Sequence, residues 1–481
     1  MASENQSLVD LAGNGDYNRH VFYIGKRTEP NRRRVFVDLT DLKQQFVAMY
    51  PESGTPFVCR VPGRVNLMGE HLDYNGLPVL PMAIDRAIYM AFAPNSGSEI
   101  RIANRDARFS PVTFENVTPL EPSTGGAWEN YAKAAIAGLN AHFSPEKHPG
   151  MDVLITSDLP PAAGLSSSSA LVVGFGMAYL AAMGLTLGRD ITRLELAGLL
   201  ANAEHYVGTA GGGMDQTAIL HGTAGCATRI NFLPFQVEQV PLPKGVEILV
   251  CDSLVEARKS GGALDFYNAG PAACSLITAL VNTHLQQDFG EDFAIECLGE
   301  LWYGDLCFNR KEVEALFASI LPAAHTTPSE LATRLNMPLA QLKEYWLDEI
   351  PFGEAGLPLQ ARARHVMTEF YRVEEGRDAL LAGDGATFGA HMNASHQSCA
   401  NDYEISTPEL DGLCKILNDA GSYGARLTGA GFGGAVVAMV PVASKDAVFA
   451  AVQTEYYGGR TQADGASPAF YVTASAGALH L

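Results

Sequence analysis

One segment limits what this chain can fold into more than any other: Leu159-Pro-Pro-Ala-Ala-Gly-Leu-Ser-Ser-Ser-Ser-Ala170 runs straight into a stretch, Ala170 to Leu187, that carries no charge. Its length alone approaches the lower limit for a membrane span. Gly174, Gly176 and Gly184 dilute its hydrophobicity and no Lys or Arg brackets it on the near side, so it reads instead as a helix buried behind a loop. The turn before it exposes consecutive backbone amides at a helix N-terminus, where the N–H groups and the helix dipole favour phosphate oxygens. Hydroxyls from Ser166 to Ser169 can add bonds to phosphate or reach a Mg²⁺ ion. No G-x-x-x-x-G-K-[ST] occurs in the chain, which excludes the P-loop class of phosphate site.

A chain of 481 residues has room for two or three domains and for a cleft between them. Lys and Arg total 33 against 53 Asp and Glu, a net charge of -20 that argues against nucleic acid or an anionic membrane as partner. A phosphate ligand therefore depends on local amides, a divalent cation or a few placed Arg side chains. The eight cysteines contain no C-x-x-C pair, so neither a zinc clip nor a disulfide framework is expected. The N-terminus resembles neither a secretory signal nor a transit peptide, and a cytoplasmic location is expected.

From Phe57, FVCRVPGRVNL alternates apolar and polar residues and then meets Gly and Asn, the pattern of a strand that delivers its end to a loop. VLPMAI (79–84), AIYMAFA (87–93) and MDVLIT (151–156) read as further strands, and Trp128 to Leu139 has helical spacing. ITRLELAGLLANAEHYV is a long helical pattern with Glu204 and His205 near its end. VEILVCDS (246–253) is strand-like, and helical patterns dominate from Asn268 to about Leu417. Strands return around ARLTGAGFGGAVVAMVP and AFYVTAS. The first fifty residues, with a basic knot at Lys26, Arg27, Arg32, Arg33 and Arg34, read as irregular. The whole predicts an α+β fold in two lobes, 1–245 and 246–481.

Three further motifs carry chemistry. Val61-Pro-Gly-Arg-Val-Asn-Leu-Met-Gly-Glu-His-Leu-Asp-Tyr-Asn-Gly76 crowds a strand-end loop with hydrogen-bonding groups, which suits a hydroxyl-rich ligand such as a sugar. Glu70, His71 and Asp73 can serve several hydroxyls at once, while Arg64 suits a developing negative charge; taken alone, His71 reads as structural. Gly211-Gly-Gly-Met-Asp-Gln216 sets an acid behind three glycines, and Asp215 is a candidate for orienting or deprotonating a hydroxyl nucleophile. Glu204 is a candidate carboxylate for a metal, although a solvated helix charge looks the same. Arg426-Leu-Thr-Gly-Ala-Gly-Phe-Gly-Gly434 lacks the helix and the acid of a dinucleotide fingerprint, because strand residues follow it directly.

GRVNLMGEHLDYN, PPAAGLSSSSAL, GGGMDQ and RLTGAGFGGA occur in the order and spacing of the GHMP small-molecule kinases, which this chain resembles after residue 50. The first motif, and SHQSCANDYEISTPELD (395–411), resemble galactokinases. The resemblance implies an N-terminal lobe like the second domain of ribosomal protein S5, a ferredoxin-like C-terminal lobe and an active site between them. It implies sugar contacts from Arg64, Glu70, His71, Asp73, Gly212, Asp215 and Tyr267. It also implies an ATP phosphate loop at Gly164, Leu165, Ser166, Ser167 and Ser168, Mg²⁺ on Ser168 and Glu204, and Trp128 against adenine. The implied reaction moves the γ-phosphoryl group of ATP to the anomeric hydroxyl of an α-D-galactose-like sugar, with Asp215 on the hydroxyl and Arg64 on the charge in transfer. The expected partners are a sugar and ATP, bound by a monomer with no nucleic acid and no membrane.

Two departures stand out. Leu72 replaces the Thr usual in galactokinases, which points to the neighbouring N-acetylgalactosamine kinase branch, and Gly270 and Pro271 stand where an Arg usually follows the sugar-contacting Tyr. A sugar and ATP sensor without turnover is the alternative from another class. The tail Leu479-His480-Leu481 partly resembles a peroxisome-type targeting signal, which would place the protein in a glycosome-like organelle.

Overall fold

Asp38 starts the first helix: its side chain accepts from the amides of Thr40, at 2.9 Å, and Asp41, at 3.2 Å, and α1 (Leu39–Met49) follows. This corrects the expectation that the first fifty residues are irregular throughout. Leu42 and Phe46, one turn apart, are fully buried, while Val47 and Met49 are exposed, so apolar residues stand on both faces of the helix and blur its pattern. The computed structural model describes residues 37–481 except 125, 162, 209–210, 256–261, 348–355 and 459–466, so the basic knot at Lys26 to Arg34 lies outside the described residues.

The described residues form one compact unit containing two main sheets. The six-stranded sheet is built from β1 (Phe57–Asn66), β2 (Pro81–Pro94), β3 (Glu99–Asn104), β4 (Val112–Glu115), β5 (Met151–Ser157) and a late strand, β12, in the order β12-β1-β2-β5-β3-β4. The two runs expected at 79–84 and 87–93 fall largely in one strand, β2, because the backbone stays extended through the half-buried Asp85-Arg86 step, where the pairing with β1 shifts register between Pro62–Ala87 and Arg64–Ala83. A two-stranded ribbon, β6 (Cys226–Phe232) with β7 (Phe235–Pro241), follows. The second sheet contains β8 (Val246–Asp252), β9 (Gly424–Thr428), β10 (Ala435–Pro441) and β11 (Ala469–Val472), in the antiparallel order β11-β8-β10-β9. The chain then returns to the first sheet: β12 (Leu479–His480) pairs His480 with Cys59 and Leu479 with Arg60.

Helices α2 (Asn130–Phe143), α3 (Ser167–Ala182), α4 (Arg193–Glu204) and α5 (Met214–His221) belong to the first half. The uncharged stretch is α3, buried on nearly every side between β1, β2, α2, α4 and α5. Gly174 and Gly176 make that packing possible, since a Cβ there would lie 2.6 Å from Met90 Cε and 2.8 Å from a Leu200 methyl. On the opposite face of the sheet, α1 covers a smaller core of Val58, Ala91, Ala93, Ala103 and Leu154. No helix among the described residues is long and apolar enough to cross a membrane.

The second half is largely helical, with α6 (Gly262–Phe289), α7 (Glu300–Tyr303), α8 (Arg310–Ile320), α9 (Pro328–Arg334), α10 (Leu339–Leu342), α11 (Leu359–Leu381), α12 (Gly385–Asn401), α13 (Pro408–Asp419) and α14 (Lys445–Ala451). Helix α12 packs on α11 on one side and on β9 on the other. Gly389 and Gly424 allow that contact: a Cβ on Gly424 would lie 1.9 Å from the Gly389 carbonyl oxygen.

Candidate active site

A cleft opens where the end of β1, the start of α5 and the end of α4 meet. Arg64, shifted in register by an irregularity after Pro62 in β1, is only 2% exposed and reaches across to Asp215 in the first turn of α5. The pair is bidentate, Nε to Oδ1 at 2.7 Å and Nη2 to Oδ2 at 2.8 Å, while Nη1 donates to the Gly164 carbonyl at 2.7 Å. One guanidinium thus ties the serine loop to the acid. Ser166, held in the left-handed region at φ 57°, donates its hydroxyl to Asp215 Oδ2.

The same cleft holds a second carboxylate. Glu204, at the last turn of α4, accepts from Ser169 Oγ at 3.0 Å and from the Gln216 side-chain amide. Ser169 rather than Ser168 is the serine on Glu204, and the Ser168 hydroxyl instead bonds Tyr131. Among the described residues no group of three or more His, Cys, Asp or Glu side chains is placed to hold a metal ion. The hard oxygens of Glu204, Asp215 and Ser169 nonetheless suit Mg²⁺, which is typically held by one or two carboxylates together with substrate phosphates.

The loop between β1 and β2 forms the opposite wall, with Glu70, His71 and Asp73. Asp73 accepts the backbone amides of Gly212, at 3.1 Å, and Met214, at 3.3 Å, joining this loop to the glycine turn before α5. Gly212 is required there, because a Cβ would stand 2.3 Å from Tyr74 N and 2.5 Å from Asp73 C. Burial, and then the charge of Asp215, push the Asp73 carboxyl upward, against the amides of Met214, Tyr74 and Gly212. Burial also pushes Glu70 up, opposed by the Arg426 and Arg64 cations. One Glu70 oxygen accepts from Gly429 N at 2.8 Å and from Arg426 Nη1 at 3.3 Å. His71 Nδ1 lies 2.8 Å from the Tyr74 hydroxyl, and its ring stacks on Tyr403 at 4.6 Å.

The structure brings Arg64, Glu70, His71, Asp73, Gly212, Asp215 and Glu204 to this one cleft, with Gly164 and Ser166 directly bonded to the Arg64–Asp215 pair. Leu165 is buried at the same turn, its carbonyl accepting from Arg64 N at 3.1 Å, and Ser167 opens α3. Trp128 stands apart from the cleft walls, partly buried against the core with Phe109 at 6.0 Å edge to face. Tyr267 falls in the first turns of α6, and its side chain lies outside the described residues. Leu72 is fully buried in the main core and does not line the cleft.

Three family models match the chain: the galactokinase galactose-binding signature over residues 44–94, the GHMP kinases N-terminal domain over 130–223 and the GHMP kinases C-terminal model over 377–458. A galactokinase of Dictyostelium discoideum is 32% identical over 468 residues, covering 90% of this chain and 90% of its own. The chain belongs to the galactokinase family of GHMP kinases. A Roseiflexus galactokinase is 34% identical over 406 residues, 84% of this chain and 87% of its own. The crystal structure of Lactococcus lactis galactokinase complexed with galactose matches with a TM-score of 0.71 and 26% identity, covering 92% of this chain and all of that one. Membership makes this an ATP-dependent sugar kinase with the α+β GHMP kinase fold.

Some members of the site were not read from sequence. Gln216 on Glu204, Tyr74 and Tyr403 on His71, and Arg426 and Gly429 on Glu70 all lie inside motifs that the sequence singles out, but without a role, while Ser169, read only as one of four hydroxyls for phosphate or Mg²⁺, bonds Glu204. For the glycine-rich stretch 426–434 the signal was its density of glycines. Gly429 lies against the Gly164 carbonyl, where an added Cβ would be 2.9 Å away, so the two glycine-rich turns pack together.

Proposed function

We propose that this chain transfers the γ-phosphoryl group of ATP to the anomeric hydroxyl of α-D-galactose, giving galactose 1-phosphate and ADP. The buried bidentate Arg64–Asp215 pair carries the reading, because it stands where the serine loop meets the loop of Glu70, His71 and Asp73. Asp215 accepts the hydrogen bond of the attacking hydroxyl and takes its proton as the new P–O bond forms and the bond to the β-phosphate oxygen breaks. Arg64 holds Asp215 in place and offsets the negative charge shared by nucleophile and phosphoryl group. Glu70, His71, Asp73 and the Gly212 turn bind the sugar hydroxyls. The amides from Gly164 to Ser168, at the start of α3, take the ATP phosphates. Glu204 with Ser169, and Ser168 nearby, would hold Mg²⁺, which when bound offsets phosphate charge. Trp128 against adenine and Tyr267 against the sugar belong to the same proposal.

Action as a monomer on sugar and ATP is part of the proposal. The burial of Leu72 away from the cleft favours galactose over its N-acetylated relative, since the departure does not reach the pocket. A cytoplasmic location is part of the proposal, because Leu479 and His480 are paired in β12 rather than free as a receptor-read tail. ATP-dependent phosphorylation of galactose, N-acetylgalactosamine, glucose and arabinose, measured side by side with Asp215→Asn as control, tests the reading. Galactose preference lost in the variant supports it. Preference for the N-acetylated sugar, or binding without turnover, overturns it in favour of the other branch or of a sensor.

A further inference from the structure

The loop that carries Glu70, His71 and Asp73 holds a backbone conformation that does not sustain itself: Gly69 takes φ 99° freely for want of a Cβ, but two residues on, His71, a non-glycine residue, has φ 61°. Conformations of this kind persist only when their surroundings over-determine them. The surroundings here are α11 and α12, far along the chain. His365 and Glu369, one helical turn apart on α11, are both fully buried. Glu369 Oε1 accepts the Gly69 amide at 2.8 Å, and His365 Nε2 stands 3.1 Å from the Glu70 carbonyl oxygen. That oxygen can only accept, so Nε2 carries the ring proton, while Nδ1 lies 2.9 Å from the Ser398 hydroxyl, which in turn bonds Asp402 Oδ2 at 3.0 Å. Two successive turns of one helix thus grip the peptides on either side of the Gly69–Glu70 unit.

The grip is braced from behind. Ser395 on α12 donates to Glu369 Oε1 at 2.6 Å, and Arg372 donates to Oε2 at 2.7 Å. Burial alone would raise the Glu369 carboxyl, but Arg372 and Arg426 hold it at about 2, so it is ionised. Burying a carboxylate is expensive, and an apolar side chain joins two helices at no such cost. What an apolar side chain cannot do is accept the Gly69 amide. The His365 ring leans on Tyr403 at 4.6 Å, and Tyr403 stacks on His71, so the same helix pair also supports a ring in the cleft wall.

We infer that His365 and Glu369 are positioning residues of this kinase: they touch no reacting atom and preset the sugar-binding loop before the sugar arrives. The inference rests on the reading that Glu70 and His71 contact the sugar. His365→Phe keeps a ring against Tyr403 and removes the donor to Glu70, and Ser395→Ala removes one brace of Glu369. The expected result for His365→Phe is a rise of about tenfold in galactose KM and in calorimetric galactose Kd, about 1.4 kcal/mol, with ATP KM within twofold. Ser395→Ala gives a smaller shift of the same kind. Glu369→Gln, which keeps an acceptor for Gly69, stays within threefold, whereas Glu369→Leu does not. Galactose KM and Kd within twofold of wild type in both His365→Phe and Ser395→Ala, with only a lower melting temperature, would make these residues scaffold and overturn the inference. If His365→Phe does not fold, Ser395→Ala decides alone. Hydrogen exchange of residues 67–76 in sugar-free protein reads the grip whatever the substrate proves to be. Exchange there should quicken at least tenfold in His365→Phe or, if that variant does not fold, severalfold in Ser395→Ala, and unchanged exchange refutes the inference even if wild type phosphorylates no galactose.

Discussion

Asp215→Asn separates the roles gathered at the Arg64–Asp215 pair. The substitution keeps the shape of the side chain and one acceptor oxygen, and turns an amide toward a guanidinium that is 2% exposed. One of two charge-assisted bonds, at 2.7 and 2.8 Å, is lost, while Arg64 keeps the Gly164 carbonyl. Such a bond contributes roughly 1.5–3 kcal/mol, and breaking a fully buried pair costs about 3–5. Because the Asp215 side chain is 14% exposed, the lower figures apply, so a stability loss of about 2 kcal/mol is expected. On transfer the loss is larger, since removing a positioned proton acceptor costs about 10²–10⁴ in rate, or roughly 3–5 kcal/mol. ADP release coupled to a spectrophotometric assay should show kcat down about a thousandfold with galactose KM nearly unchanged, and thermal denaturation should show a drop of a few degrees. Arg64→Met combined with Asp215→Asn should be no slower than the slower single variant, because the two side chains act as a unit. A kcat within tenfold of wild type in Asp215→Asn would refute the assignment of the proton to Asp215.

Gly212→Ala puts a Cβ 2.3 Å from Tyr74 N, so the turn before α5 must withdraw from Asp73; galactose binding by calorimetry should weaken at least a hundredfold, with ATP binding largely kept. Ser169→Ala removes the hydroxyl that bonds Glu204 and Ser168→Ala removes the one that bonds Tyr131. The Mg²⁺ concentration for half-maximal rate should rise severalfold more in the first than in the second, and the opposite order would return the metal serine to Ser168. Burial holds His365 down at about 4 against 6.5 when unfolded, so between those values the unfolded chain binds the extra proton and stability falls as pH falls. The shift is worth about 3 kcal/mol, fully present above pH 6.5 and lost toward pH 4. Denaturant unfolding of His365→Phe across that range should show a flatter decline than wild type, and an equally steep decline would show that His365 is not the group responsible.

The phosphate turn and the sugar loop were legible because their chemistry is local: glycines, serines and acids at fixed short spacings announce close backbone approach and dense hydrogen bonding. The buried character of α3 was legible from its lack of charge. Contacts between distant segments were not. Arg64 and Asp215 each read as catalytic candidates, but nothing in either motif says that they bond each other across 151 positions. His365 and Glu369 occupy α11 among Arg362, Arg364 and Arg372, where polar residues read as a solvated face. Only the packing of α11 behind the loop turns those two inward. Helix α1 was missed for another reason, because exposed Val47 and Met49 blur its apolar face, and only the sheet that Leu42 and Phe46 cover shows which face is buried. Tyr403 lay inside a stretch that resembled a family without a role for any of its residues, and stacking on His71 supplies one.

The pairing of β12 with β1 also governs when the first sheet can be finished. Cys59 waits for His480, and at a synthesis rate of 5–20 residues per second β1 stands without its outer neighbour for roughly 20–80 s. Through that interval a strand edge with unpaired amides and carbonyls lies open to other nascent chains. A strand made about 420 positions later shields the edge of this sheet, so a ribosome-bound chain carries that edge open until β12 emerges. Synthesis at lower temperature, or with a chaperone that masks strand edges, acts on that interval rather than on the stability of the finished fold.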